Sequence, residues 1–176
     1  MYTGPGRRDV LKVAAVATLA GCVPVPIVAP SPSPADRRPS MRLRPLMTLR
    51  LSTAPTQNIG AGPHGTRLTF PITGGSFDGD RLRGKVLPGG DDWVVKRPDG
   101  VLELDLRITL EADDGALIHM TFEGIRDDGA PGAPYFRTLP RFETADPKYS
   151  FLNRMLALGT GEIRADGPVH MIEEIL

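Results

Sequence analysis

Leu102-Glu103-Leu104-Asp105-Leu106-Arg107-Ile108-Thr109-Leu110-Glu111 decides the fold class of this chain. Leu102, Leu104, Leu106, Ile108 and Leu110 alternate with Glu103, Asp105, Arg107, Thr109 and Glu111. Successive side chains of a strand point to opposite faces, whereas a helix gathers its apolar residues every three or four positions. Strict alternation over this length predicts a half-buried β-strand. The same pattern recurs at Met47, Leu49 and Leu51, at Leu68, Phe70 and Ile72, and at Leu82, Gly84 and Val86 between Arg81, Arg83 and Lys85.

Turn chemistry separates these runs. Pro98-Asp99-Gly100 stands between a Trp93-Val94-Val95 strand and the long one, and Asp113-Asp114-Gly115 joins the long strand to another over 116–123. Both are hairpin signals. Further strands are predicted over 135–142, 155–164 and 169–175, with one short helix over 146–153, capped by Asp146 and carrying Pro147 at its first position. The expectation is an all-β chain whose residues 43–176 form a single compact antiparallel β-barrel of about eight to ten strands, because closure removes exposed edges.

Composition agrees. The 20 glycines and 18 prolines among 176 residues favour short strands and turns over long helices. Lys+Arg and Asp+Glu both total 21, so the formal net charge is zero and nothing points to nucleic acid, whose partners carry a basic patch.

The first 42 residues read differently. Arg7-Arg8-Asp9-Val10-Leu11-Lys12 resembles a twin-arginine export signal, and the apolar stretch 13–19 suits its core. That stretch is too short to span a bilayer, which needs about twenty apolar residues. Leu19-Ala20-Gly21-Cys22 resembles a lipobox, which implies cleavage before Cys22 and acylation of its sulfur. Residues 1–21 are therefore expected to be a signal peptide. Residues 22–42, with Pro24, Pro26, Pro30, Pro32, Pro34 and Pro39, are expected to form an extended tether of roughly 3 Å per residue. The implied location is the cell envelope, with the membrane as partner through the lipid on Cys22. Stable anchoring takes two or more acyl chains, which a fully processed lipoprotein cysteine carries.

The folded region also carries a set of motifs in a familiar order. Gly62-Pro63-His64-Gly65-Thr66-Arg67 is followed by Gly74-Gly75, Arg81-Leu82-Arg83-Gly84, Leu87-Pro88-Gly89-Gly90 and Asp92-Trp93. Arg97-Pro98-Asp99-Gly100-Val101, Asp113-Asp114-Gly115-Ala116-Leu117-Ile118, Tyr135-Phe136-Arg137-Thr138 and Arg141-Phe142-Glu143-Thr144 complete it. This resembles the bacterial domain-of-unknown-function 3237 family over roughly residues 43–176. The resemblance implies a compact antiparallel β-barrel and no established general activity. Two departures stand out: 127–134 is short where many relatives carry a longer excursion, and most relatives lack such a leader.

Few residues carry chemistry by spacing alone. Gly60-Ala61-Gly62-Pro63-His64-Gly65 fits the letters of a dinucleotide fingerprint, yet Pro63 sits inside it and a strand pattern, not a helix, follows. It is expected to be a glycine-rich loop at the barrel rim. His64, His119 and His170 are scattered and Cys22 is the lone cysteine, so neither a metal nor a cofactor is expected. Ser76 lacks a nucleophile-elbow context and suits a turn.

The strongest candidates lie on the polar face of the central strands. Asp105, Arg107 and Thr109 alternate there, and His119, Thr121 and Glu123 alternate on the hairpin partner. One interpretation leaves these six in solvent over a leucine core. The other turns part of that face into a barrel wide enough for a ligand, where an acid and a guanidinium hold a carboxylate or phenol and His119 or Glu123 accepts a proton. Arg137 and Arg141 share a face and supply an anion clamp or pair with Glu143 or Asp146. Trp93 belongs to the core, a barrel plug or an aromatic pocket wall. The candidate site is thus Trp93, Asp105, Arg107, His119 and Arg137. The expected function is binding of a small organic molecule in the barrel. The alternative is an isomerase- or lyase-type enzyme acting on an organic acid or aromatic, and an interaction lipoprotein with a filled barrel is a third class.

Overall fold

A computed structural model describes residues 40–176; the export signal, Cys22 and nearly all of the Pro-rich stretch lie outside the described residues. Ten strands follow in order: β1 (Leu43–Thr53), β2 (Gln57–Gly62), β3 (Gly65–Asp78), β4 (Arg83–Val86), β5 (Gly90–Lys96), β6 (Leu102–Ala112), β7 (Leu117–Asp127), β8 (Tyr135–Glu143), β9 (Ala157–Arg164) and β10 (Gly167–Ile175). One 3-10 helix, Pro147–Arg154, separates β8 from β9.

Strands β6 to β10 form an antiparallel meander, and β10 returns to pair with β1. β1 then pairs with β3 from Thr48 opposite Asp78 to Thr53 opposite Ile72, which closes an eight-stranded barrel. On the other edge of β3, β4 takes the end near Asp78 and β5 takes the stretch from Thr66 to Ile72; both hand on to β6. β4 and β5 therefore share one stave, and β2 extends beyond the ring as a hairpin with β3. The glycine-rich stretch 60–65 is this hairpin rather than a loop, with Pro63 and His64 at its turn.

The alternation of β6 sets the inside. Leu104, Leu106, Ile108, Leu110 and Ala112 are buried, and across the ladder they meet Ile118, Met120 and Phe122 of β7. Leu49 and Ile72 join them from β1 and β3. Each fully buried Leu or Ile contributes about 1.5–3 kcal/mol of burial free energy.

The two ends of the barrel differ. At one end the 3-10 helix acts as a plug: Tyr149 and Leu152 are buried against the core beside Phe142. Asp146 caps it by accepting from the Lys148 N–H at 2.8 Å, the arrangement its sequence announces. Asn153 ties its far end back to Thr144 through two hydrogen bonds of 2.9 and 2.8 Å, and the Tyr149 hydroxyl donates to Asp114 at 3.0 Å. At the opposite end the described residues contain no helix, and a cavity remains between Leu51, Phe70, Leu102, Phe136 and His170.

Candidate functional site

The sequence-derived site residues lie on the outer side of the barrel wall. Since Leu104, Leu106 and Ile108 face inward, Asp105 and Arg107 face outward, and the expectation that this polar face turns into the lumen does not hold. Asp105 and Arg107 form an exposed ion pair at 3.0 Å, and the Arg107 guanidinium lies 5.3 Å from the ring centroid of Trp93. Trp93 is half-buried on that outer face and is neither core nor plug. Arg137 is exposed, 5.2 Å from the ring of Tyr135, and donates to the Phe136 carbonyl at 2.9 Å. His119 is exposed opposite Thr109, four residues along β6 from Asp105, so the structure does not bring it to the others. Trp93, Asp105 and Arg137 line one broad outer depression of about 850 Å³, together with Glu103, Glu123 and Leu139.

A second cavity, of about 230 Å³, occupies the open end of the lumen. It is smaller, but it is walled by eight strands, and among the described residues neither Asp92 nor His170 has an ion-pair partner. Phe70, Leu102, Leu104, Phe136 and Ile163 supply most of the wall, and Asp92, Arg126 and His170 supply its ionisable groups. The register explains why they converge. Asp92 stands opposite Leu106, which stands opposite Phe122. The Phe122 ring packs on His170 with centroids 5.0 Å apart, and Phe136 meets the same imidazole edge-on at 5.0 Å. Phe136 reaches it by lying over Gly161, where an added Cβ would stand 2.5 Å from its ring. Arg126 pairs with Phe136 across the β7–β8 ladder and lies 5.8 Å from its ring centroid. Arg126, Phe136 and His170 thus run in sequence from the mouth inward.

Burial perturbs both inner groups. Burial pushes the Asp92 carboxyl up to about 7, against a hydrogen bond from the Asp105 N–H at 3.1 Å that favours the charged form; the nearby Asp105 carboxylate raises it further. That hydrogen bond replaces a ladder bond, since the β5–β6 pairing skips Trp93 and Val94. Burial likewise pushes the His170 imidazole down to about 4, so it is neutral at pH 7. His170 is only 1% exposed and its Nδ1 has no hydrogen-bond partner; Thr138 Oγ1, of a residue that borders the outer depression, is in the same state. Buried polar atoms without partners are rare. Among the described residues no group of three or more His, Cys, Asp or Glu is placed to hold a metal ion.

Asp92, Arg126 and His170 escape the sequence patterns because polar residues occupy positions of apolar parity. His170 has the parity of Ile172, and Arg126 that of Met120 and Phe122, so a polar residue in phase with a core stripe is the signal that would find them.

Comparison with known proteins places the chain. The family model described as a protein of unknown function (DUF3237) matches residues 41–175. The chain belongs to the DUF3237 family. A UPF0311 protein of Rhodopseudomonas palustris (strain TIE-1) is 33% identical over 151 residues, spanning 78% of this chain and 99% of the relative. A β-barrel-like protein of Acinetobacter baumannii AYE, known from its crystal structure, superposes with a TM-score of 0.75 at 32% identity, covering 80% of this chain and 99% of that one. A hydroalkoxylation enzyme of Penicillium herquei is 32% identical over 89 residues, which span 51% of this chain and 53% of the enzyme. An enzyme structure from that fungus has a TM-score of 0.63 at 22% identity, covering 85% of this chain and all of the other; this is a likeness of fold.

Proposed function

We propose that this DUF3237 protein binds a small organic molecule in the open end of its barrel. The carrying observation is the apolar cavity lined by Asp92 and by His170, whose buried Nδ1 has no hydrogen-bond partner. A neutral imidazole offers one donor and one acceptor, and a carboxyl near pH 7 offers either, so the lumen can satisfy a hydroxyl or a carbonyl on an otherwise apolar guest. The outer depression around Trp93 is larger, but its Asp105 already pairs with Arg107. Phenol titrated into the protein should shift the His170 ring signals in NMR spectra and leave the indole signal of Trp93 in place. Shifts confined to Trp93 would move the site to the outer face and overturn this proposal.

A second function rests on the same groups. General acid–base catalysis is most efficient when the catalytic group titrates near the working pH, as Asp92 does. The likeness of about half of this chain to a hydroalkoxylation enzyme supports this reading. An isomerase- or lyase-type proton transfer would use Asp92 as acid and base, and turnover lost in Asp92→Asn with phenol binding kept would mark it.

Export on a lipid anchor is the other half of the proposal, supported by the order Arg7-Arg8, apolar stretch, Leu19-Ala20-Gly21-Cys22. Replacing Cys22 by Ala should leave an unprocessed precursor that takes up no labelled fatty acid, and replacing Arg7 and Arg8 by Lys should block export. Normal processing of both variants would defeat it.

A further inference from the structure

We propose that Arg126 is the carboxylate anchor of the lumen, that the guest is a single-ring aromatic carboxylate, and that Asp128 occupies the anchor in the empty protein. This rests on the lumen as the ligand site. Arg126 is the one cationic side chain among those lining the cavity, and it stands at the mouth, a quarter exposed. Its guanidinium is engaged in fork geometry by Asp128, Nε to Oδ1 at 2.8 Å and a terminal nitrogen to Oδ2 at 2.8 Å. Two parallel N–H···O bonds are how arginine recognises a carboxylate of any origin. Asp128 therefore marks where a guest's carboxylate sits. Its side chain is more than half exposed, and an exposed pair of this kind is worth little, so a carboxylate that also buries a ring displaces it readily.

The cavity fixes the rest of the guest. An apolar cavity of about 150 Å³ accommodates benzene, so about 230 Å³ accommodates one ring with small substituents. The Phe136 ring lies between Arg126 and His170, which places an aromatic ring along the same line. A carboxylate on Arg126 points the opposite side of that ring inward, toward His170 and Asp92. A hydroxyl there completes the partnerless imidazole nitrogen. The guest class is a monocyclic aromatic acid with a polar substituent across the ring. Asp128 then serves as an internal competitor that weakens ligands lacking the ring.

The test compares 4-hydroxybenzoate with 4-hydroxybenzamide, which differ in the anionic group alone, by calorimetry on the full chain. The acid should bind at least tenfold more tightly than the amide, and Arg126→Gln should erase that preference. Asp128→Asn, on an exposed turn, should strengthen the acid about two- to fivefold and leave the amide unchanged. Equal binding of acid and amide to the natural protein would overturn the anchor while leaving the lumen site standing. No binding of either, with no shift of the His170 ring, would overturn both. An Asp128→Asn protein that binds the acid no better would remove the competitor from the account.

Discussion

Replacing Asp92 by Asn should give the protein a stability profile that climbs steeply with pH, where the natural protein is nearly flat. Asp92 titrates at about 7 in the fold against 3.8 in an unfolded chain. Between those values the folded state holds a proton that the unfolded state has lost, so this group's contribution falls as pH rises from about 4 to about 7. His170 does the reverse: its value is about 4 in the fold against 6.5 unfolded. The unfolded imidazole is charged while the folded one is neutral, so its contribution grows from about pH 4 to about 6.5. The two slopes oppose each other over almost the same window, and the natural protein keeps a neutral carboxyl and a neutral imidazole in one apolar lumen. Asparagine retains the acceptor for the Asp105 N–H and removes one slope. Stability of Asp92→Asn should then rise by roughly 3 kcal/mol between pH 4 and 6.5, one pKa unit being worth about 1.4 kcal/mol. Urea denaturation at half-unit pH steps reads this. A variant profile parallel to the natural one would show that Asp92 is ionised in the fold like any surface aspartate.

Gly75→Val should prevent the barrel from closing. Gly75 stands at the seam between β1 and β3, opposite Leu51, and on its other edge faces Val86 of β4. A Cβ there would lie 2.1 Å from the Arg50 carbonyl oxygen, and the residue's φ is +148°, a region side chains rarely adopt. Backbone cannot yield as a flexible side chain does, so the seam must open. The cost should exceed about 3 kcal/mol and reach outright failure to fold for valine. Gly75→Ala is the measurable version. Gly89→Ala is its control, with φ +103° and nothing within 4 Å of the added Cβ. Only backbone strain of about 1 kcal/mol should register at position 89. Equal losses at 75 and 89 would mean that β1 and β3 are not joined there.

Much of this fold is legible in the chain. The alternation of 102–111 fixes a strand and its inward leucines, the Asp-Gly turns fix the hairpins around it, and Asp146-Pro147 fixes the start of the short helix, which winds as a 3-10 helix. β2 escapes because Gly60 and Gly62 break any apolar alternation; its pairing to β3 is a tertiary fact. The candidate site is legible only in part. The notable acid–guanidinium pattern of Asp105 and Arg107 marks solvent, since alternation assigns it to the face opposite the leucines. The groups that meet in the lumen sit on β5, β7 and β10, and nothing local says that Asp92, rather than its neighbour Asp91, turns inward. That choice follows from the register of β5 against Phe70 and Leu106.

Crystals soaked in phenol reveal directly where this barrel holds a guest. One phenol should occupy the lumen, its ring beside Phe136 and its hydroxyl within hydrogen-bonding reach of His170 Nδ1 or the Asp92 carboxyl. Phenol lodged only on the outer wall beside Trp93, with the lumen empty, would contradict it.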